Sequence, residues 1–335
     1  MRLKPPSAAL VGDSPFLWVL RFADDGAATL VTDAGAPNLQ PAEGGFLWIH
    51  INAADLRYRE WVAAQEHIPA DAKALLVDQD SHQRLAGDEK ALWGVLADYG
   101  RALEHDEEVL RHLRVVVTEN FVVTARRQAI RSAASVRQAA LGGVRVATPL
   151  ALFEALVEQI LAAMDSSIDA LVAEFNEIED RVLDDESRDE RRRLGALRRS
   201  MIRLHRQIVG AQRVFARLDQ SARISPAAHA ALQRLSQQLD SLQQELNATH
   251  ERARLLQEEI VSNLTAETNR QLYVLTILGT LLMPPTLVSG IFGMNTKSLF
   301  FSENENGTIY AVALCLASAA AAYLALVWIK RTSEK

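Results

Sequence analysis

Cysteine is nearly absent from this sequence, which has one, Cys315, in 335 residues. A chain with a single cysteine cannot form an intrachain disulfide, and such sparing use is typical of proteins from a reducing compartment. The sequence also lacks a glycine-rich phosphate-binding loop, which argues against ATP-driven pumping. Cys315 has no general base near it in the sequence, and no other catalytic constellation emerges. We therefore predict that the protein is not an enzyme.

An excess of positive charge is also absent, since 36 Lys and Arg residues face 42 Asp and Glu residues and give a net charge of −6. Nucleic-acid binding depends on cations that neutralise phosphates. One arginine-rich stretch could suggest such binding, but its acidic neighbours would repel phosphate, and we interpret it as a helix face paired with those neighbours. Its members are Arg191, Arg192, Arg193, Arg198, Arg199, Arg203 and Arg206. The sequence therefore predicts no nucleic-acid partner.

Two segments near the C-terminus, residues 272–292 and 308–329, contain no charged residue and no histidine. Each is just over twenty residues long. A helix that rises ~1.5 Å per residue covers about 30 Å with such a segment, which is the hydrocarbon thickness of a bilayer. The sequence therefore predicts two membrane spans and a lipid bilayer as a partner.

Basic residues flank this pair of segments on its outer sides, with Arg270 before the first segment and Lys330 and Arg331 after the second. The loop between the segments carries two carboxylates, Glu303 and Glu305. By the positive-inside rule, both termini are predicted to be cytoplasmic and the loop to face outward. The N-terminus shows no apolar core of a cleavable signal. We therefore expect an inner (plasma) membrane protein with most of its chain in the cytoplasm.

Residues 1–147 alternate short apolar runs with polar breaks, as α/β domains do. The runs are bounded by Gly, Pro and Asp and contain β-branched and aromatic residues, which is typical of strands. The predicted strands are 16–22, 45–51, 91–97, 113–117 and 120–125, and the predicted helices are 54–65 and 70–77. The last two strands are expected to form a hairpin.

Residues 148–270 keep a helical period. Apolar residues recur every three or four positions over 153–182 and again over 194–218, with an acidic break at 184–190 between them. This pattern predicts two long amphipathic helices in an antiparallel hairpin.

A third helix is predicted to begin at Pro226, because neither Gly nor Pro occurs again before Gly279. Its heptad-like leucines favour coiled-coil packing. It is expected to continue into the first span as one rod about 100 Å long, which requires neighbours from the hairpin or from further copies of the chain. The chain thus divides into a cytoplasmic α/β domain (1–147), a hairpin with a stalk helix (148–270) and a transmembrane domain (271–335).

One face of the first span combines small, hydroxyl and apolar residues. Intervals of three or four residues place the following positions on one side of a helix: Leu272, Leu275, Gly279, Met283, Thr286 and Gly290. Two spans cannot enclose an aqueous path, so conduction would require an oligomer around an axis. The spacing fits a pore liner and equally a face whose small residues allow close helix contact.

The residues around this face resemble a known family. Asn269, followed by LTILGTLLMPPTLVSGIFGMN up to Asn295, is similar to the first span and Gly-Met-Asn motif of the CorA divalent-cation transporters, the two-transmembrane GxN family. Two stretches, LWIHINAAD from Leu47 and MPPTLVSGIFG from Met283, look most like the ZntB branch of that family. The motif is short, but it lies at the outer end of the penultimate apolar segment, and the resemblance covers essentially the whole chain.

The resemblance implies a homopentamer with a cytoplasmic funnel and a pore lined by the first span. Gly293, Met294 and Asn295 fall on the motif at the outer mouth, where five Asn amide oxygens could hold a hydrated cation. The implied pore-facing positions are Gly290, Thr286, Met283, Leu275, Leu272 and Asn269. Of these, the two leucines and the methionine would form a hydrophobic constriction that closes by dewetting. The acidic outer loop would concentrate cations.

The transported ion implied by the ZntB-like features is zinc, with no bound cofactor. Arg234 occupies the position at which magnesium-type members are expected to carry a sensing Asp, and this favours zinc. A CorA-type magnesium or cobalt channel is the alternative. A membrane-anchored coiled-coil scaffold that conducts nothing is the alternative from another class.

The densest cluster of metal-ligand types lies in the N-terminal domain, where His105 and His112 flank three acidic residues. A cytoplasmic divalent-metal site is one interpretation, and a solvated helix surface is the other. Asp78, Asp80 and His82 offer the same choice, with a loop as the alternative.

Overall fold

The computed structural model describes residues 14–32, 37–39, 44–101, 108–183, 187–220, 224–294 and 306–333. Its contacts divide the chain into two units, Met1–Arg254 and Leu255–Lys335. The division into three domains predicted from the sequence stays a prediction.

The first unit contains a seven-stranded sheet. In chain order the strands are β1 (Phe16–Phe22), β2 (Ala28–Leu30), β3 (Phe46–Asn52), β4 (Arg84–Gly87), β5 (Ala91–Arg101), β6 (Glu108–Thr118) and β7 (Phe121–Arg126). Their order across the sheet is β2-β1-β3-β7-β6-β5-β4. The β3–β7 pair is parallel and every other neighbouring pair is antiparallel. The predicted hairpin between β6 and β7 is confirmed.

Helices pack on both faces of the sheet, and long helices follow it in the C-terminal part of the chain. They are α1 (Tyr58–Ala64), α2 (Ala70–Val77), α3 (Arg131–Leu141), α4 (Pro149–Leu183), α5 (Ser187–Asp219), α6 (Pro226–Gly293) and α7 (Gly307–Ser333). The predicted start of the third long helix at Pro226 is confirmed. The predicted helix over 54–65 is shorter than expected and begins at Tyr58, because residues 53–57 form turns.

One face of the sheet forms an apolar core with α1 and α2. Val19, Ile49 and Val123 from three adjacent strands are almost fully buried against Trp61 and Leu76. The alternation of side chains along a strand sends the intervening residues to the opposite face. Strand β3 enters the sheet through Gly45, whose φ is +72° and where a Cβ would lie 1.9 Å from the carbonyl oxygen of Phe22. Only glycine fits this turn.

The opposite face of the sheet carries buried polar groups beneath α3. The Trp48 indole N–H donates to the Thr124 hydroxyl over 2.8 Å, and the same hydroxyl bonds the Nδ1 atom of His50 over 2.7 Å. Helix α3 is attached to the sheet through Asp98, whose carboxylate accepts a 2.7 Å hydrogen bond from the Ser132 hydroxyl. Burial raises the pKa of Asp98. Helix α3 and strands β2 and β4 are not predicted from the sequence.

The predicted antiparallel hairpin is present as α4 and α5. Their buried positions follow the predicted apolar period. Two ion pairs cross between the helices: Glu177 with Arg193 at 3.1 Å, and Arg181 with Glu190 at 3.3 Å. The predicted pairing of the arginine-rich face is thus confirmed for Arg193.

Helix α6 packs on this hairpin within the first unit. Its leucines at 232, 235, 239, 242 and 246 are buried. Arg234 binds Glu154 of α4 at 2.7 Å, and Arg252 binds Glu179 of α4 at 2.6 Å. The hairpin is therefore one neighbour that covers the apolar seam of the third helix.

Candidate ion path

The candidate pore face lies on a continuous helix. Helix α6 extends without a break from Pro226 to Gly293, so the intervals of three and four residues do place the predicted positions on one side of it. The side chains of Leu272, Leu275 and Met283 are 55%, 65% and 75% exposed. A Cβ built on Gly279 would meet no atom within 4 Å, and the same holds for Gly290 and Gly293. This face is uncovered in a single chain.

Exposure alone does not distinguish the candidate face from the rest of the second unit. Leu278, Leu282 and Leu287, which lie off the candidate face, are also more than half exposed. Within the described residues, α6 and the segment Gly307–Trp328 are each long and apolar enough to cross a membrane. The difference between the faces is chemical, because the candidate face carries small and hydroxyl side chains among its apolar ones.

The threonines of the first span present acceptor oxygens. The Thr286 hydroxyl donates to the Leu282 carbonyl oxygen over 2.7 Å, and Thr276 and Thr280 donate in the same way to the carbonyls four residues earlier. A hydroxyl has one proton and two lone pairs, so the lone pairs remain available once the proton is used. Acceptor oxygens suit a hydrated cation, whose water molecules donate outward.

A pair of prolines interrupts the hydrogen bonding of α6 within the span. Pro284 and Pro285 lie inside the helix and have no N–H, so the carbonyls of Thr280 and Leu281 cannot accept the usual bond from four residues ahead. The Cys315 thiol of α7 donates to the Pro285 carbonyl oxygen over 3.6 Å. This contact joins the two spans. The two prolines belong to the stretch that carries the family resemblance, but their effect on the hydrogen bonding of the helix is not predicted from the sequence.

The C-terminal end of the candidate face coincides with the end of α6. The Met294 N–H bonds the carbonyl oxygens of Gly290 and Ile291 over 3.1 and 3.3 Å, which closes the last turn. Gly293 is the last helical residue, and Met294 is 59% exposed. A shallow groove runs along this end of the helix, lined by Leu282, Met283, Thr286, Leu287, Gly290, Ile291 and Met294.

Asn269, three residues before Leu272, extends the candidate face towards the N-terminal side and is an exposed residue of α6. Asn295, Glu303 and Glu305 lie outside the residues that the structure describes. Their predicted roles at the outer mouth therefore stay predictions.

Of the two histidines predicted as metal ligands, His112 lies among the residues that the structure describes. His112 lies on β6 opposite Ala97, so the alternative of a solvated helix surface is wrong from Glu108 onward, where the backbone pairs with β5. Burial, and then the charge of Arg114, lower the pKa of His112. His105 lies outside the described residues. Among those described, no group of three His, Cys, Asp or Glu side chains is arranged to hold a metal ion.

The carboxylates of the 78–82 loop bind an arginine. Arg84 contacts Asp78 at 2.7 Å and Asp80 at 2.5 Å. The backbone N–H of His82, followed by its ring, holds the pKa of Asp80 well below its usual range. These contacts favour the loop interpretation over a metal site.

Comparisons with known proteins agree with this architecture. The zinc transport protein ZntB of Photorhabdus laumondii is 22% identical over 321 residues, which cover 94% of this chain and 95% of that protein. ZntB of Klebsiella pneumoniae is 23% identical over 293 residues, which cover 85% of this chain and 86% of that protein.

Solved structures show the same fold. The full-length CmaX protein superposes with a TM-score of 0.79 at 20% identity and covers 97% of this chain and 100% of its own. The CorA magnesium transporter from Methanocaldococcus jannaschii superposes with a TM-score of 0.74 at 15% identity, over 94% of this chain and 97% of its own. The family model described as CorA-like Mg2+ transporter protein matches residues 43–331. The chain belongs to that family.

Proposed function

We propose that this protein moves divalent metal cations, zinc among them, through a pore at the axis of a homopentamer in the inner membrane. One observation carries the proposal: α6 continues unbroken through its apolar segment and presents one face of small, hydroxyl and apolar residues that ends at Gly293 and Met294. Membership of the CorA-like family supports the divalent cargo. The basic residues that flank the spans support cytoplasmic termini.

We assign the outer mouth to Asn295, which lies two positions after Gly293, the last residue of α6, in the sequence. Five uncharged amide oxygens at this point would accept hydrogen bonds from the hydration shell of an arriving ion. No charge then has to be buried beside lipid, which would be costly. Glu303 and Glu305 in the same loop would raise the local cation concentration.

The inner constriction is assigned to Leu272, Leu275 and Met283. Their side chains lie uncovered on the candidate face, so an assembly that turns this face towards its axis would direct them into the path. A narrow ring of such side chains excludes water and closes the path without a covalent or charged gate.

Zinc is the favoured cargo because two relatives that match most of this chain are named zinc transport proteins. In addition, Arg234 is held in an ion pair with Glu154, so this position supplies a cation, and no carboxylate, to the helix surface. This contact supports the absence of a magnesium sensor at that position. A magnesium or cobalt channel is the competing assignment.

The decisive experiment is metal uptake into proteoliposomes that contain the purified full-length protein. Replacing Asn295 with Ala should lower zinc uptake about tenfold or more, since the loss of about 1.4 kcal/mol at a binding step is tenfold. Assembly, measured by native mass, should be unchanged.

Asn304→Ala, the same substitution in the same loop, is the matched control and should retain uptake. Normal uptake by assembled Asn295→Ala protein would remove Asn295 from the mechanism. Uptake of magnesium without zinc would favour the competing channel, and no uptake of any cation by the unmodified protein would favour the scaffold.

A further inference from the structure

Charge is segregated between the two helices of the hairpin. Helix α4 carries eight carboxylates and one cation. Helix α5 carries nine arginines and no carboxylate between residues 191 and 218. Because the two helices are antiparallel neighbours, a single chain has one acidic side and one basic side.

Most of the exposed members of each set share one face of their helix. On α4, Glu158, Asp165, Asp169 and Asp180 are exposed and recur on one face, and we call this set the acidic stripe. On α5, the exposed arginines that share one face are called the arginine stripe, which comprises Arg192, Arg199, Arg203, Arg206, Arg213 and Arg217. Both stripes lie on the side of their helix away from its buried residues. Arg193, which binds α4 of its own chain, is not part of the stripe.

The two stripes match in height along the hairpin. The ion pairs Glu177–Arg193 and Arg181–Glu190 fix which residues of the antiparallel helices are level. From these pairs, an equal number of residues counted towards the N-terminus of α4 and towards the C-terminus of α5 gives positions at the same level. Four charged pairs then lie level to within about two residues, or ~3 Å along the helix axis. Asp180 is level with Arg192, Asp169 with Arg203, Asp165 with Arg206, and Glu158 with Arg213.

The match is not complete along the whole hairpin. Asn176 on the acidic face, which accepts a hydrogen bond from Arg252 of α6, is level with Gly195 on α5, so neither helix carries a stripe charge there. Arg199, in contrast, is level with Ala173 and has no carboxylate at its level.

We propose that the arginine stripe of one copy of this chain docks on the acidic stripe of the next copy. In a closed ring whose axis runs along the hairpin, all copies sit at the same height, so level residues of neighbouring copies meet. Such a contact is head-to-tail, which is the type that generates rings. The inference rests on the proposed assembly around an axis.

Other partners of the arginine stripe would explain less of the charge pattern on the hairpin. A polyanion or an anionic lipid surface would contact the arginine stripe and leave the acidic stripe unmatched. A second copy uses both stripes and accounts for their shared levels.

The contact should govern how copies are oriented more than whether they assemble. Exposed ion pairs are individually weak and are screened by salt. Aligned pairs nevertheless disfavour wrong registers, in which like charges would face each other. The interface should therefore weaken as ionic strength rises.

Cross-linking between differently tagged chains tests the contact. One chain carries Asp165→Cys and the other Arg206→Cys, both with Cys315→Ser, and the two are co-expressed as full-length protein. A short bis-maleimide is used because paired Asp and Arg side chains hold their Cβ atoms farther apart than a disulfide allows. We expect a covalent dimer that contains both tags, and loss of most of it when membranes are treated at high salt.

Three controls make the result specific. Each cysteine variant alone should give no dimer, because a head-to-tail contact does not bring position 165 to position 165. Ser166→Cys, exposed at the same level but on another face of α4, should not cross-link to Arg206→Cys. Reversing one charge with Glu158→Arg in the Asp165→Cys chain should lower the yield, and adding Arg213→Glu in the other chain should restore it.

The failures of this inference and of the proposed function differ. Assembled protein that transports metal but gives no mixed dimer would overturn the interface alone. A dimer of Asp165→Cys chains with each other would overturn the head-to-tail arrangement. Absence of any oligomer would overturn both.

Discussion

Two parts of one helix show how the same residue type serves different surroundings. In the first unit, Leu235 and Leu239 of α6 are buried by their own chain, at 2% and 0% exposure. In the second unit, Leu275 and Leu278 of the same helix are 65% and 52% exposed. Leucines of the first kind stabilise the fold of one chain in water. Those of the second kind need a bilayer or another copy, so they report on assembly and function.

Truncating one leucine in each part should give the largest difference. Leu239→Ala removes a fully buried side chain and should cost about 2–5 kcal/mol of folding free energy. Leu278→Ala makes the same chemical change at an exposed position and should leave the melting temperature nearly unchanged. Thermal unfolding of full-length protein in detergent, followed by tryptophan fluorescence, measures both. Equal losses would break the comparison.

Substitution on the two faces of the second part should change transport. Leu275→Ser places a hydroxyl in the predicted constriction and should raise basal zinc flux several-fold, because a polar ring no longer excludes water. Leu278→Ser, about 100° around the helix from the centre line of that face, is the control and should not raise flux. Proteoliposome flux without an imposed gradient of other ions is the measurement. Lower flux in assembled Leu275→Ser protein would place the constriction elsewhere.

The smallest expected effect is the difference between metals in how strongly they compete with zinc for transport. The described part of the first span contains no His, Cys, Asp or Glu, so a dehydrated zinc ion would lack its usual nitrogen and sulfur ligands. Cobalt, nickel and cadmium should therefore compete with zinc at concentrations within about tenfold, a difference of about 1.4 kcal/mol. Inhibition curves in proteoliposomes provide the test. Strict selectivity for zinc would require a ligand cluster elsewhere, and the prediction of His105 and His112 would then be examined first.

The long elements are predictable from the sequence because their signals are local and repeated. Pro226 correctly marks the start of α6, and the absence of Gly and Pro between it and Gly279 predicts that the helix is continuous. The apolar period predicts the α4–α5 hairpin. Helix α3 is missed because its sequence, RSAASVRQAAL, buries mainly small residues, and its attachment depends on Asp98, which is distant in the chain.

The candidate site is only partly predictable. Helical spacing identifies one face of α6, but spacing alone does not tell a pore-lining face from a contact between helices. The assignment of Asn295 comes from family resemblance. The element that contains His112 is misjudged because the polar first half of β6 resembles a solvated helix in composition. Only the pairing of this segment with β5 shows that it is a strand.

The two prolines of α6 create a point in the first span at which the helix can bend, here called the joint. Two consecutive backbone donors are already missing at Pro284 and Pro285, so bending at this point breaks no additional hydrogen bond of those two residues. The last turns, from Thr286 to Gly293, can therefore tilt while the helix below stays straight. The Cys315 thiol holds the joint from the neighbouring span by one weak bond. An outward tilt of the segment from Thr286 to Gly293 would thus cost little free energy, and the Cys315 contact would transmit this motion to α7.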